Sequence, residues 1–195
     1  MRIALGALTL AAIGVQFEAA AKTPHFDPAN FFGYFTILSN IFAALVLIYV
    51  AIDWREPSRA LDVVRGAATF CMALVGIVFS LLLANLESNL IGWVNVVVHY
   101  LMPLALIADW LVVPPRHRLG GGDAATWLVL PFAYVVYTLV RGAIVHWYPY
   151  PFLDVDVAGG DNVAWTIVAL LLGAIALAAI LRWAGSAHPL YRTKI

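Results

Sequence analysis

The sequence predicts an all-α integral membrane protein, a single bundle of six transmembrane helices with both termini cytoplasmic. Three observations predict it. Hydrophobic residues make up 64% of the 195-residue chain and charged residues only 11%, too little charge to coat a soluble domain of this size. Six apolar stretches recur, each roughly 20–24 residues long, enough at about 1.5 Å per residue to cross a ~30 Å hydrocarbon core. Lys and Arg gather on alternate connections, as the positive-inside rule requires.

The spans are read as residues 2–21, 31–52, 61–84, 90–113, 124–145 and 162–184. The first begins at Arg2 and ends on Ala19-Ala20-Ala21, the outline of a secretory signal peptide. Gln16 and Glu18 sit badly in a cleavable segment, so a retained helix is expected. The connections carry turn chemistry: Thr23-Pro24, Glu56-Pro57, Pro114-Pro115, Gly120-Gly121-Gly122 and Gly159-Gly160. Only the segment 145–161 is long enough to form a lid. Arg2, Arg55, Arg59, Arg65, Arg116, Arg118, Arg182, Arg192 and Lys194 fall on one side, against Lys22 and Arg141 on the other. That side is read as the cytoplasm. The outer connections carry Asp27, Glu87, Asp154, Asp156 and Asp161. Net charge is zero, so nothing suggests a nucleic-acid partner, and the expected partner is the lipid bilayer. The single cysteine, Cys71, reads as a small core residue.

Polar groups inside lipid are costly unless they face one another or a cavity, which makes them pointers to function. The second span carries Thr36, Ser39 and Asn40, which share one helix face; the fourth carries Asn95 and His99, four residues apart. Helical rise puts Thr36 about 7–8 Å and His99 about 13–14 Å below the outer surface. Side chains on both helices lean back toward that surface, which closes part of the difference. The two polar faces are expected to look at each other, with Gln16, Glu18 and Arg141 completing a ring and Tyr134 and Tyr137 lining the cavity. The inner half is almost wholly apolar, as in 43–49 and 67–83, which predicts a pocket closed below. Asp109 is expected at the inner interface, within reach of Arg116 or Arg118. Trp93, Trp147, Tyr148, Tyr150 and Trp165 read as the outer aromatic belt. Each polar residue also has a bland reading: Thr36 bonding the Phe32 carbonyl, the asparagines gluing helices, Arg141 reaching up to the headgroups.

A hydroxyl beside a neutral imidazole is the minimal unit for acyl transfer. Asn40, Asn95 and Arg141 are candidate donors to an oxyanion or orienting groups, with Asn95 or Glu18 as a third member. Residue chemistry does not choose between Thr36 and Ser39 as nucleophile. No metal is expected: His25, His117, His146 and His188 lie in connections or near interfaces, no ligand spacing recurs, and no cofactor is implied.

The run Phe31-Phe32-Gly33-Tyr34-Phe35-Thr36-Ile37-Leu38-Ser39-Asn40, the lone His99 and the run Tyr148-Pro149-Tyr150-Pro151-Phe152-Leu153-Asp154 together resemble a bacterial branch of six-helix membrane proteins. That branch is related to the androgen-induced-gene and androgen-dependent TFPI-regulating proteins of animals, threonine hydrolases of fatty acid esters of hydroxy fatty acids. The resemblance spans essentially the whole chain. It implies Thr36 as nucleophile, His99 as general base, and an acyl-ester lipid arriving from the outer leaflet of a bacterial inner membrane. The rival expectations are a lipid or small-molecule transporter or sensor with a non-catalytic polar pocket, and a structural subunit whose polar residues serve as helix glue. Transport is disfavoured by polarity confined to one half and by the lack of an internal repeat.

Overall fold

A computed structural model describes residues 1–53, 57–86 and 90–186. Arg55, Glu56, Glu87, His188, Arg192 and Lys194, used above for turns and charge, lie outside the described residues. No strand occurs among the described residues, and six helices are long and apolar enough to cross a membrane. They are α1 (Arg2–Ala21), α2 (Phe35–Ile52), α3 (Arg59–Leu83), α4 (Gly92–Val112), α5 (Gly121–Val145) and α6 (Gly160–Ser186). The expected boundaries hold within a few residues. The largest shift is at α2, where residues 31–34 peel off to close a separate turn, Pro28–Phe31, capped by the Asp27 carboxylate. Pro28 supplies a preset φ at its first position.

The central helix is α3, which packs against α2, α4, α5 and α6, while α1 lies along α2 and touches α4. Close approach is made by small residues. A side chain at Gly66 would overlap the Trp127 ring, and one at Gly76 would press on Pro103. Two cores result. Ala43, Leu47, Ala68, Met72, Val98 and Met102 join α2, α3 and α4; Phe70, Trp110, Trp127, Ala174 and Leu181 join α3 through α6.

Three helices are irregular, and a proline marks the cause in two of them. Pro103 has no N–H to offer the His99 carbonyl, and the turn before it, Val97–Leu101, widens to a π-turn. α3 ends in a second π-turn, Phe79–Leu83, closed by the Ala84 N–H on the Phe79 carbonyl at 2.8 Å. α5 is interrupted at Leu128, three residues before Pro131. Beyond that break its second half stands away from α3 and α6, leaving room between them.

The end of the bundle where α1 begins is more polar than the expected apolar half. Asp109 is held by Arg2 at 2.7 Å and by Arg65 at 3.2 Å, rather than by Arg116 or Arg118. Asp62, fully buried, accepts the Arg116 and His117 amides at 3.0 and 2.9 Å and lies 3.7 Å from Arg65. Asp62 and Arg65 escape a search for apolar spans because they occupy the first turns of α3, where they are i,i+3 partners.

Candidate functional site

At the opposite end, α2 and α4 present their polar residues to each other. Thr36 is the second residue of α2, so its backbone N–H has no partner within the helix. That amide donates to Tyr150 Oη at 3.3 Å. Thr36 Oγ1 lies 3.4 Å from His99 Nε2 and 3.4 Å from Tyr150 Oη. The other ring nitrogen, His99 Nδ1, is 2.6 Å from Asn95 Oδ1, one turn earlier on α4.

With a neutral imidazole, one ordering of hydrogens satisfies every one of these contacts. The Asn95 carbonyl oxygen only accepts, so Nδ1 carries the proton and Nε2 presents a lone pair to the Thr36 hydroxyl. Thr36 donates to Nε2, and Tyr150 donates to Thr36 Oγ1 while accepting the Thr36 amide. Burial pushes the Tyr150 phenol above its ordinary value of 10.0, so it keeps the proton it donates. Phe79 stacks on the His99 ring at 3.8 Å between centroids and 15° between planes, fixing the plane of the imidazole. Each of the two π-turns supplies one ring of that stack.

The remaining expected residues divide. Asn40 is fully buried, and its amide N–H groups go to the Thr36 and Val98 carbonyls at 2.9 and 3.1 Å. It ties α2 to α4 and has no N–H left for an oxyanion. Asn95 orients the imidazole. Arg141, expected as an oxyanion donor, is withdrawn: it donates to Asn30 Oδ1 at 2.6 Å, lies 3.9 Å from Asp27 and covers the Trp147 ring at 5.0 Å. Its task is to clamp α5 to the Pro28–Phe31 turn. Ser39 is buried but lines neither of the cavities described below. Gln16 lines one of them and accepts the Ile91 amide at 2.9 Å. Glu18 leaves the ring altogether, its side chain 72% exposed and paired with Lys22. Tyr134 lines the other cavity and donates to the Gly33 carbonyl at 2.8 Å, whereas Tyr137 points outward.

Tyr150 and Phe79 were not expected at the site. Tyr150 is buried, not a belt residue, because the connection after α5 folds back over the bundle. Three contacts hold it there. The Tyr148 ring occupies the space where Gly142 lacks a side chain, Trp147 packs on Gly33 and edge-on to Tyr34, and Tyr150 stacks on Phe152. Trp93 and Trp165 are exposed.

Two cavities meet at Thr36. One, of about 150 Å³, lies between α3, α5 and α6; apart from Thr36, Tyr134 and Tyr150 its lining is hydrocarbon. The other, of about 430 Å³, is reached past Asp27, Asn30 and Trp147 and is lined by His99 and Gln16. Thr36, Phe79, Leu83 and Tyr150 border both. Among the described residues no group of three or more His, Cys, Asp or Glu side chains is placed to hold a metal. No protein-family model, curated protein or solved structure matches the chain.

Proposed function

We propose that this protein is an integral membrane ester hydrolase in which Thr36 is the nucleophile, His99 the general base and Asn95 the group that orients it. The observation that carries this reading is the ordered hydrogen-bond chain ending at a hydroxyl where two cavities join. A hydroxyl that only back-bonded would face a carbonyl of its own helix; this one faces an imidazole lone pair at the wall of a void. The resemblance carried by residues 31–40, His99 and residues 148–154, to a bacterial branch related to the threonine hydrolases, implies the same pair and favours Thr36 over Ser39.

The chemistry is acyl transfer to threonine and then to water. Thr36 Oγ1 attacks the ester carbonyl carbon as its proton passes to His99 Nε2. The tetrahedral intermediate collapses, the bond to the alcohol oxygen breaks, and His99 returns the proton to that oxygen. Water then attacks the acyl-threonine, giving its proton to His99, and the carboxylic acid departs as Thr36 recovers its hydrogen. With Asn40 and Arg141 held away from Thr36 Oγ1, the oxyanion donor is the Tyr150 phenol, whose hydrogen is released as Oγ1 bonds to carbon, and the helix dipole at the start of α2 also favours negative charge there. The substrate class is an acyl-ester lipid, fatty acid esters of hydroxy fatty acids or a related ester.

In the membrane, the end bearing Arg2, Arg59 and Arg65 faces the cytoplasm of a bacterial cell and the Thr36 end lies in the outer half of the bilayer. Purified protein in detergent or nanodiscs is tested with fluorogenic acyl esters and a fluorophosphonate probe. Thr36→Ala and His99→Ala abolish turnover and labelling while the helical signal by circular dichroism persists, and Thr36→Ser keeps part of both. Labelling that survives in Thr36→Ala and disappears in Ser39→Ala transfers the nucleophile to Ser39. Liposome flux of a lipid unaffected by His99→Ala, with no ester turnover, replaces catalysis by transport.

A further inference from the structure

The two cavities differ in one respect that decides how an ester lies in the site. His99 lines the larger, more polar cavity and is absent from the wall of the apolar chamber, whereas Thr36 borders both. In acyl transfer the imidazole must protonate the leaving alcohol oxygen, so the alcohol has to lie on the imidazole side of the nucleophile. The acyl chain then lies on the side without it. Resting on the hydrolase reading, we infer that the apolar chamber between α3, α5 and α6 is the acyl-binding site and that the cavity beside Gln16 and His99 takes the alcohol part.

The chamber suits that occupant. Below the level of Tyr134 its side chains offer no hydrogen-bond donor or acceptor, so a hydroxyl or carboxylate on the acyl arm would be buried without a partner. The other cavity has polar partners at its mouth, Asp27 and Asn30, and His25 beside them. The chamber also has a floor. From Tyr134 to Leu128 along α5 it runs about 9 Å, and from Ile167 to Ala174 along α6 about 10 Å. Leu74, Leu128 and Ala174 close it, and beneath them Phe70, Trp110 and Trp127 pack without exposure above 1%. The smallest of the floor residues, Ala174, and the larger Leu74 therefore set the length of chain that fits.

The test uses the full chain in nanodiscs and two series of esters. One varies the acyl chain from butanoyl to decanoyl on a fixed nitrophenol, and the other varies the alcohol chain on a fixed acetyl group. Ala174→Leu is expected to lower kcat/KM for the longest acyl chains roughly 10-fold relative to the shortest, and Leu74→Ala to shift the ratio the opposite way. Neither substitution changes the ranking in the alcohol series. If both variants keep ester turnover and an unchanged acyl profile, or if the alcohol profile moves instead, the orientation is overturned and the hydrolase stands. If the unaltered protein turns over no ester in either series, the hydrolase reading falls and the orientation with it.

Discussion

Asn95→Ala isolates the part of the hydrogen-bond chain that sets the state of the imidazole. The Asn95 carbonyl, 2.6 Å from His99 Nδ1, is the only acceptor for that nitrogen among the described residues, and His99 is 95% buried. Removing it leaves two neutral tautomers. In the competent one, Nδ1–H is buried without an acceptor, at a cost of about 2 kcal/mol. In the other, the proton moves to Nε2 and donates to Thr36 Oγ1, so the unpartnered Nδ1–H is gone and no base remains. A penalty of about 2 kcal/mol corresponds to roughly a 30-fold smaller population of the competent tautomer, and kcat/KM for a fluorogenic ester is expected to fall by about that factor. KM stays near its starting value because Asn95 lines neither cavity. Asn95→Asp, which still offers an acceptor, restores much of the loss. Nitrogen chemical shifts of labelled histidine give an independent readout: Nδ1–H in the unaltered protein, Nε2–H in Asn95→Ala. Undiminished kcat/KM in Asn95→Ala, or an Nε2–H tautomer at the start, refutes the reasoning.

Tyr150→Phe removes a donor to Thr36 Oγ1 without changing the ring packing; ester kcat should drop by roughly 10-fold or more, and an unchanged kcat removes Tyr150 from the chemistry. Because burial raises the Tyr150 and Tyr34 phenols above their ordinary 10.0, the native state holds protons that the unfolded chain has released. Stability is therefore full below pH 10 and declines as pH rises beyond it, a decline that denaturation against pH should find reduced in Tyr150→Phe. Gly142→Ala forces Tyr148 away from α5 and should lower thermal stability by about 1–3 kcal/mol, loosening the connection that holds Tyr150; a thermal midpoint equal to the parent's contradicts that contact. Arg65→Leu leaves Asp62 and Asp109 short of a cation and should cost roughly 3–5 kcal/mol in a denaturation assay without altering the ester specificity of the surviving folded protein.

The parts of this molecule that were readable in its sequence are those written in helical periods. Span lengths follow from apolar runs, and the meeting of Thr36 with His99 follows from two depths and two i,i+4 spacings. In the ion cluster at the other end Asp109 was readable as an interfacial charge but its partner Arg65 was not, because Asp62 and Arg65 lie in the first turns of α3, where a charged residue does not interrupt an apolar window. Glu18 and Tyr137 failed for a different reason. Helical rise gives depth but not rotation, and both side chains occupy the outward face of helices whose inward face is set by packing on α2 and α3.

Tyr150 shows where periodicity stops helping. A tyrosine between two prolines in a connection between spans has the composition of an interfacial belt, and nothing local says that the segment returns to the bundle. What brings it back is a set of matching absences on other elements. Gly142 leaves a socket for Tyr148, Gly33 leaves one for Trp147, and Arg141 covers the outer face of that tryptophan. The same logic applies to the imidazole. Pro103, four residues after His99, was a visible signal that α4 could not run straight there, and Phe79 reaches the ring from a second π-turn on the neighbouring helix. A straight α4 would keep the His99 carbonyl bonded and the ring in register with its own helix face. The i,i+4 spacing puts Nδ1 on Asn95, and the widened turn lies at the same level, where Nε2 faces Thr36. The irregular turns are thus part of how the hydroxyl and the imidazole come to share a hydrogen bond, and Pro103→Ala, by allowing α4 to straighten, should weaken that bond before it weakens the fold.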